Sequence, residues 1–509
     1  MKEGIQMNFK EIYNDSLPVA TEDIPVSGYP VFHETITSLF VKKSVHVVTY
    51  HAVKRAGQLH FICAVADDDT GKILLLSHIT DGHDVNLKSL TPCIPAFHVF
   101  ERELFEKHGV TFEGHPWMKP VRYPHYRHDM KSAPENYPFY SIESEELHEV
   151  GVGPVHAGVI EPGHFRFICN GEKVLHLEIQ LGYQHRGIEK MLSEETNGLR
   201  RCILSESIAG DTSVGHELAH VQLIENLAGI EVNESLGVER CIALEMERLA
   251  VHIGDTAALC GDVAYQLGQV VCEALRTTVI NTTQSWCGNR FGKGLVRPGG
   301  TNYPLSAGKA EEIRRNITDV GNRFAEMTGR IYTLPTILAR LEDVGILTCD
   351  QALMTGVVGQ AARSCGIPRD IRSTHPFQYF RKYSVEPVIQ LKGDLLARGM
   401  QRATEAARSV SMITGLLDIW ESIRKDQPRP VYNYSLRPSA FGLSLIEGWR
   451  GEISHCVVTD DKGSIINYKV KDPSFHNWMA LALAVRDQEI SDFPVCNKSF
   501  NLSYCGNDL

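Results

Sequence analysis

The chain has 509 residues, 43% of them hydrophobic, which is long enough for two or more domains with full cores. Its formal net charge of -11 lacks the basic footprint of a nucleic-acid binder, and no nucleic-acid partner is expected. No run approaches the roughly 18–20 apolar residues a membrane helix needs, so any membrane association is expected to come through partners. The opening MKEGIQMNFKEIYNDS has no apolar signal core and gives no indication of export. Thirteen cysteines, an odd number with no Cys-x-x-Cys spacing, point to buried thiols in a reducing compartment rather than disulfides or structural zinc.

Residues 1–120 mix short apolar runs with turns, an α+β pattern. The β-branched alternation of VHVVTYHAV predicts a strand. Asp67-Asp68-Asp69-Thr70-Gly71 predicts a hairpin turn, and LFEKHGV a helix end capped by Gly109. Residues 121–150 are rich in proline, tyrosine and charge without periodicity, which suits a linker or an arm packed on a partner. From 151 a short β region, FRFICNG then EKVLHLEIQL, leads at about residue 187 into long helices. Ile242, Met246, Leu249 and Ile253 recur at three- and four-residue steps, predicting an amphipathic helix. SAGKAEEIRRNITDVGNRFAEMTGRI and VIQLKGDLLARGMQRATEAARSVSMITGLLDIWESI predict two more, and ISHCVVTDDKGSIINYKVKD a hairpin turning at Asp460–Gly463. The expected fold is an α+β domain over 1–120, a linker over 121–150, and a mainly α large domain with a small β lobe over 151–509.

Several motifs carry chemistry. His216-Glu217-Leu218-Ala219-His220 is an H-E-x-x-H; on a helix it puts two imidazoles on one face with a glutamate beside them, as zinc metalloproteases do. His185-Arg186-Gly187 with Glu189-Lys190 is, in isolation, a helix start with solvated charges. Buried, the same residues need partners, and such clusters shift pKa values in ways that serve proton transfer. Arg363, Asp370 and Arg372 are expected to complete that network through an Arg–carboxylate fork. Arg297-Pro298-Gly299-Gly300 lacks the spacing of a phosphate loop and predicts a turn. With no G-x-G-x-x-G after a strand, no dinucleotide site is expected. Trp286 predicts a packing corner.

Taken in order, these blocks resemble a family. Gly153-Pro154-Val155-His156, Glu161-Pro162-Gly163-His164-Phe165-Arg166, His185–Lys190, Glu245-Met246-Glu247-Arg248-Leu249, Arg297–Gly300, Ala362-Arg363-Ser364 with Asp370-Ile371-Arg372, and Glu447-Gly448-Trp449-Arg450-Gly451-Glu452 run through the large domain. They resemble the large subunits of group 4 nickel–iron hydrogenases of the formate hydrogenlyase type, and their relative, the quinone-site subunit of respiratory complex I. Upstream, Glu101–Gly109 with Gly114-His115-Pro116 resembles the complex I 30-kilodalton-type subunit.

The resemblance implies two Cys-x-x-Cys pairs around nickel and iron, for which soft thiolates suit the metal. At those positions this chain has Ala209 and Thr212, then Ser503 and Gly506; Cys505 is one residue out of register. Hydrogen activation is therefore not expected, and this chain is expected to bind no cofactor. The complex I quinone tyrosine falls at Gly210 and its aspartate at Ala209, with Asp211 adjacent as a substitute. His164 lies where complex I carries a quinone-contacting histidine, although the insertion around Gly158–Gly163 follows the hydrogenase pattern. His216 falls on a histidine of the family's cysteine loop.

The resemblance implies a peripheral subunit on the inner face of the cell membrane, in the cytoplasm. Its partners would be an iron–sulfur small subunit, a ferredoxin-like subunit and antiporter-like membrane subunits. Two roles stay open at this point. In one, a cleft serves a quinone or another acceptor, with His164, His185, Arg186, Glu189, Asp211, His216, Arg363, Asp370 and Arg372 handling protons. In the other, the chain is a structural coupler with no chemistry of its own.

Overall fold

The computed structural model describes residues 8–82, 85–158 and 160–509. Residues 1–7 of the opening segment and Val159 of the 158–163 insertion lie outside them.

The N-terminal segment is organised by one antiparallel sheet whose strands run in the order Lys10–Ile12, Lys72–Asp81, Gln58–Asp67, Val45–Arg55. Period-two alternation divides its side chains between two cores. Phe61, Cys63, Val65, Leu74 and Leu76 face the helices Tyr29–Leu39 and His98–His108. Ile62, Ala64, Ala66, Ile73 and Leu75 face the large helical core instead. A sheet buried on both faces explains why these strands read as unbroken apolar runs. The hairpin turn falls at Asp67↔Lys72 as expected. Gly109 ends its helix in the left-handed region at φ 72°, its N–H bonded to the Phe105 carbonyl at 2.8 Å.

Residues 121–150 hold one short 3-10 turn, Pro134–Asn136, and the start of the strand His148–Val152, which crosses the expected boundary at 150; their N-terminal end is tied down. The carboxylate of Glu106 accepts backbone N–H groups of Arg122 and Tyr123 at 3.0 and 2.7 Å. A three-stranded sheet follows, in the order Lys173–Gln180, His164–Asn170, His148–Val152.

The long helices are Ser213–Ala228, Glu234–Asp262, Gln266–Cys287, Ala307–Ile331 and Leu395–Ile423. One expectation needs correcting. The helix Glu234–Asp262 is buried almost all the way round, not on one stripe. Its inner charges, Glu245, Arg248 and His252, are paired inside the protein, so a polar face by sequence is not a wet face here. The helix Ala307–Ile331 is the amphipathic one, with Ile313, Ile317, Val320 and Phe324 inward. The β lobe is a sheet in the order Ile465–Lys471, Glu452–Thr459, Ala440–Glu447, Val19–Ala20, so the N-terminal segment supplies its last strand. Across the described residues helix predominates over strand, at about 44% and 18%.

Candidate functional site

The loop before the helix Ser213–Ala228 meets the turn Gly448–Gly451 that joins two strands of the β lobe. Mutual backbone bonds between Gly448 and Gly451, 2.9 and 3.1 Å, close that turn and aim Arg450 at the loop. Arg450 stacks on Trp449, 3.9 Å from the ring centroid, and forks onto Asp211 at 2.7 and 2.6 Å. Enclosure works against the Asp211 carboxylate, but Arg450 outweighs it and holds the group below its usual range. Thr212 Oγ1 accepts from Trp449 Nε1 and Arg450 Nη1, both at 3.1 Å. Beside them, the first N–H groups of the helix, Val214 and Gly215, donate to Glu247 at 2.7 and 3.1 Å. A helix N-terminus favours a carboxylate. Enclosure by protein outweighs it, and with Asp211 nearby the Glu247 carboxyl is pushed up to about 8.

From this loop a single file of hydrogen bonds runs inward. His216 Nε2 meets Asp472 Oδ2 at 3.0 Å and its Nδ1 meets His455 Nε2 at 3.2 Å. His455 Nδ1 meets the Tyr468 hydroxyl at 2.8 Å, which meets His220 Nδ1 at 2.9 Å. All five side chains are buried. Only two donor–acceptor orientations satisfy the row. If both histidines at its centre are neutral and His216 donates to Asp472, then His455 donates to His216, Tyr468 to His455, and His220 to Tyr468. If His216 is instead protonated against Asp472, every bond beyond it reverses. The two states differ by one proton in all: His216 gains it, while the proton of His220 moves from Nδ1 to Nε2, which has no partner among the described residues. Burial lowers His455 and His220, the latter to about 3, and raises Tyr468, so none of the three rests in its charged form.

Two family models match the chain. Residues 32–135 match the respiratory-chain NADH dehydrogenase 30 Kd subunit, and residues 262–441 the 49 Kd subunit of the same enzyme. The chain fuses a complex I 30 Kd segment to a 49 Kd segment. Hydrogenase-4 component G of Escherichia coli is 25% identical over 452 residues, 86% of this chain and 78% of the relative. Formate hydrogenlyase subunit 5 of the same organism is 26% identical over 446 residues, 84% and 78% of the two chains. Membrane-bound hydrogenase subunit alpha of Pyrococcus furiosus is 27% identical over 370 residues, 69% and 85%. A chain of the membrane-bound sulfane sulfur reductase, an archaeal respiratory membrane complex, superposes with a TM-score of 0.65 at 20% identity, covering 73% of this chain and all of that one, which shows the fold alone. Among the described residues no helix is long and apolar enough to cross a membrane.

Of the four positions that the resemblance assigns to thiolates, Gly506 lies against Asp472 at the end of the file. Ala209 is buried. Ser503 Oγ accepts the Gly506 N–H at 2.9 Å, capping the helix Tyr504–Asp508. A Cβ at Gly506 would lie 2.6 Å from Asp472 Cγ, so Asp472 occupies the space a side chain at 506 needs. Cys505 Sγ is 3.4 Å from Ser503 Oγ, its thiol pushed up by burial.

The other expected site residues separate into three groups rather than one network. Glu189 is buried between Lys107 and Lys469, the latter at 2.9 Å; Lys469 also meets Glu103 at 2.7 Å. His185 Nδ1 donates to the Asp508 carbonyl at 2.8 Å, and Arg186 to the carbonyls of Ser207 and Ile208 at 2.6 and 2.9 Å. Arg363 pairs with Glu405 and Glu447 at 2.9 and 2.7 Å. Arg372 forks onto Asp370 at 2.9 and 2.6 Å and reaches Glu245 at 2.8 Å. This third group is sealed within the helical core and does not join Glu189. His164 stands apart on the three-stranded sheet, 5.0 Å from the Phe139 ring.

The H-E-x-x-H geometry differs from the zinc pattern. Glu217 bonds Ser205 and Arg297, the latter at 3.2 Å, whereas His216 and His220 face Asp472, His455 and Tyr468. Among the described residues no three His, Cys, Asp or Glu side chains are grouped to hold a metal ion. Arg297 takes Glu206 and Glu217 from within its turn, and Trp286 donates to the Tyr303 carbonyl at 3.0 Å.

Sequence reasoning named Glu247 and Arg450 only as motif letters and passed over His455, Tyr468 and Asp472. The signal was present: strands buried at every position from 452 to 459 still carry His455, a polar ring that needs a partner.

Proposed function

We propose that this chain is a peripheral large subunit of a membrane-associated, complex I-related oxidoreductase, and that it handles protons in a cleft with no nickel–iron centre of its own. Its partners are an iron–sulfur subunit with ferredoxin-like and antiporter-like subunits, which complete the assembly on the inner membrane face. The units 1–120, 121–150 and 151–509 are part of this reading. The observation that carries it is the file Asp472–His216–His455–Tyr468–His220, whose Asp472 end lies against Gly506, one of the positions the resemblance assigns to a thiolate. A methyl group, a glycine and two hydroxyls already used in structural hydrogen bonds are a poor donor set for nickel, which supports a cleft without that metal. A reversible row of hydrogen bonds moves a proton without moving a heavy atom, which suits a site that meets a quinone or another small acceptor.

A second reading, a structural coupler, is favoured by the sealed Arg363–Glu405–Glu447 group, whose ion pairs are internal and reach no cleft. One experiment separates the two. Native complex, purified through this chain, is analysed for nickel, zinc and iron, and its viologen-linked turnover is compared with that of Tyr468→Phe. Iron without nickel, with turnover slowed about tenfold in a fully assembled variant, supports the proton role. Stoichiometric nickel overturns the donor-set argument. Unchanged turnover in Tyr468→Phe overturns the proton role in favour of the coupler.

A further inference from the structure

A cavity of about 630 Å³ lies between the helix His98–His108, the strand Lys173–Gln180 and the helix Ser474–Ala484. It adjoins the Asp472 end of the file, with Phe475 just beyond Asp472 and Asn507 next to Gly506, but none of the five file residues lines it, and its size is that of a small-molecule pocket. Val121, Leu177, Phe475, Met479 and Ala482 make its wall mostly apolar. Phe475, Met479 and Ala482 fall along one face of their helix, which gives the cavity about 10 Å of apolar length.

Its polar groups are deeply buried and short of partners. His98 is 6% exposed, and neither ring nitrogen has a hydrogen-bond partner among the described residues. Burial, with Arg102, His476 and His115 nearby, keeps this imidazole neutral, so it presents one N–H donor. Trp478 Nε1, also buried, is a second donor without a partner. Arg102 is 6% exposed and donates to the backbone carbonyls of Lys119 and Pro120 at 2.7 and 2.8 Å. Its guanidinium stacks on Trp117, 4.2 Å from the ring centroid. Buried Arg398 also has only the Gly393 and Gly345 carbonyls and the Ser499 hydroxyl as partners, whereas buried Arg240 and Arg372 each face a carboxylate at 2.7 and 2.8 Å. Arg102 has none within hydrogen-bonding range among the described residues. The carboxylate that lines the cavity, Glu178, is already taken by Lys119, the Tyr137 hydroxyl and the Tyr140 N–H. A buried cation with only dipolar partners is costly, and an anion beside it recovers that cost.

We infer that this cavity binds a small carboxylic acid with an apolar body, its carboxylate on Arg102 and His98 and its hydrocarbon along Phe475, Met479 and Leu177. Such a ligand supplies the charge that Arg102 lacks and an acceptor for the imidazole and indole N–H groups, and it covers the apolar wall. Nothing in the proton-handling reading calls for this site, so either can fail alone.

The test titrates the full chain with dodecanoate and, separately, with dodecanol, following the fluorescence of Trp117 and Trp478 and the heat of binding. Dodecanoate should bind with one site per chain, at least about tenfold tighter than dodecanol, as expected for a hydrogen-bonded charge pair. Arg102→Gln should remove that preference. Because Arg102 also ties down Lys119 and Pro120, Ala482→Phe is the second variant; it fills the wall and should block both ligands without touching the guanidinium. Arg486→Gln, at the solvent-exposed mouth, should leave binding unchanged. Absent binding, equal affinity for the alcohol, or loss in Arg486→Gln but not in Arg102→Gln would each overturn the assignment.

Discussion

Lys469 Nζ lies 2.9 Å from Glu189 Oε1, bringing a β-lobe strand into the His-Arg-Gly-x-Glu block almost three hundred residues earlier. Burial alone would push the Glu189 carboxyl up, but Lys107 and Lys469 outweigh it and hold it down at about 2. A depressed carboxyl lends stability that is present above its unfolded value, about 4.3, and is lost as pH falls toward 2. Lys469→Met leaves Glu103 and Glu189 facing each other with less compensation. It should cost about 3 kcal/mol at neutral pH in urea unfolding, with a smaller loss below pH about 4 as the carboxyls protonate. A neutral-pH cost near zero would mean that Lys107 and Arg122, which both also pair with Glu103, suffice.

Glu247 has the opposite sign. Its carboxyl is raised to about 8, so the stability it contributes is fully present below about 4.3 and declines as pH rises to about 8. Infrared difference spectra of the chain against Glu247→Gln should show a protonated carboxyl band at neutral pH that titrates away near 8. In unfolding experiments across the same range, the variant should lose less stability than the parent. A band already gone at pH 6 would refute the assignment.

Arg363 holds Glu405 and Glu447 in fixed directions, at 2.9 and 2.7 Å. Lysine keeps the charge and loses the fork, so Arg363→Lys should destabilise by about 2 kcal/mol, read as a lower midpoint in guanidinium. Turnover per folded complex should stay at the parent level, because the group is sealed from the cleft. A stable variant with lost turnover would return Arg363 to the proton path.

Gly359 sits in the left-handed region at φ 71°, and a Cβ there would come 1.9 Å from the Arg450 carbonyl oxygen. The obstacle is backbone, so the Gly448–Gly451 turn has to move. Gly359→Ala should cost at least about 2 kcal/mol and loosen the Arg450–Asp211 fork. Thermal unfolding checks the first effect; an upward shift of the Asp211 carboxyl by NMR checks the second.

Much of the architecture was legible locally. The strand at 45–55, the turn at Asp67–Gly71, the Gly109 cap and the β-lobe hairpin follow from side-chain period and turn chemistry, which act over a few residues. The buried helix Glu234–Asp262 was misjudged because its charges read as a wet face, and only distant partners such as Arg372 and Glu405 make them tolerable inside. The expectation that Arg363, Asp370 and Arg372 join the His185–Glu189 group fails because spacing along the chain gives no distances between segments.

By itself, then, the sequence determined the elements, the order of family motifs and the absence of thiolates at Ala209, Thr212, Ser503 and Gly506. Tertiary structure alone decided that Asp472 fills the space beside Gly506, that Tyr468 links two histidines, and that Arg102 lies buried without a carboxylate. The reason is physical. Local structure answers to backbone sterics and periodicity, whereas hydrogen-bond files and buried charges depend on angstrom-scale approaches between segments hundreds of residues apart.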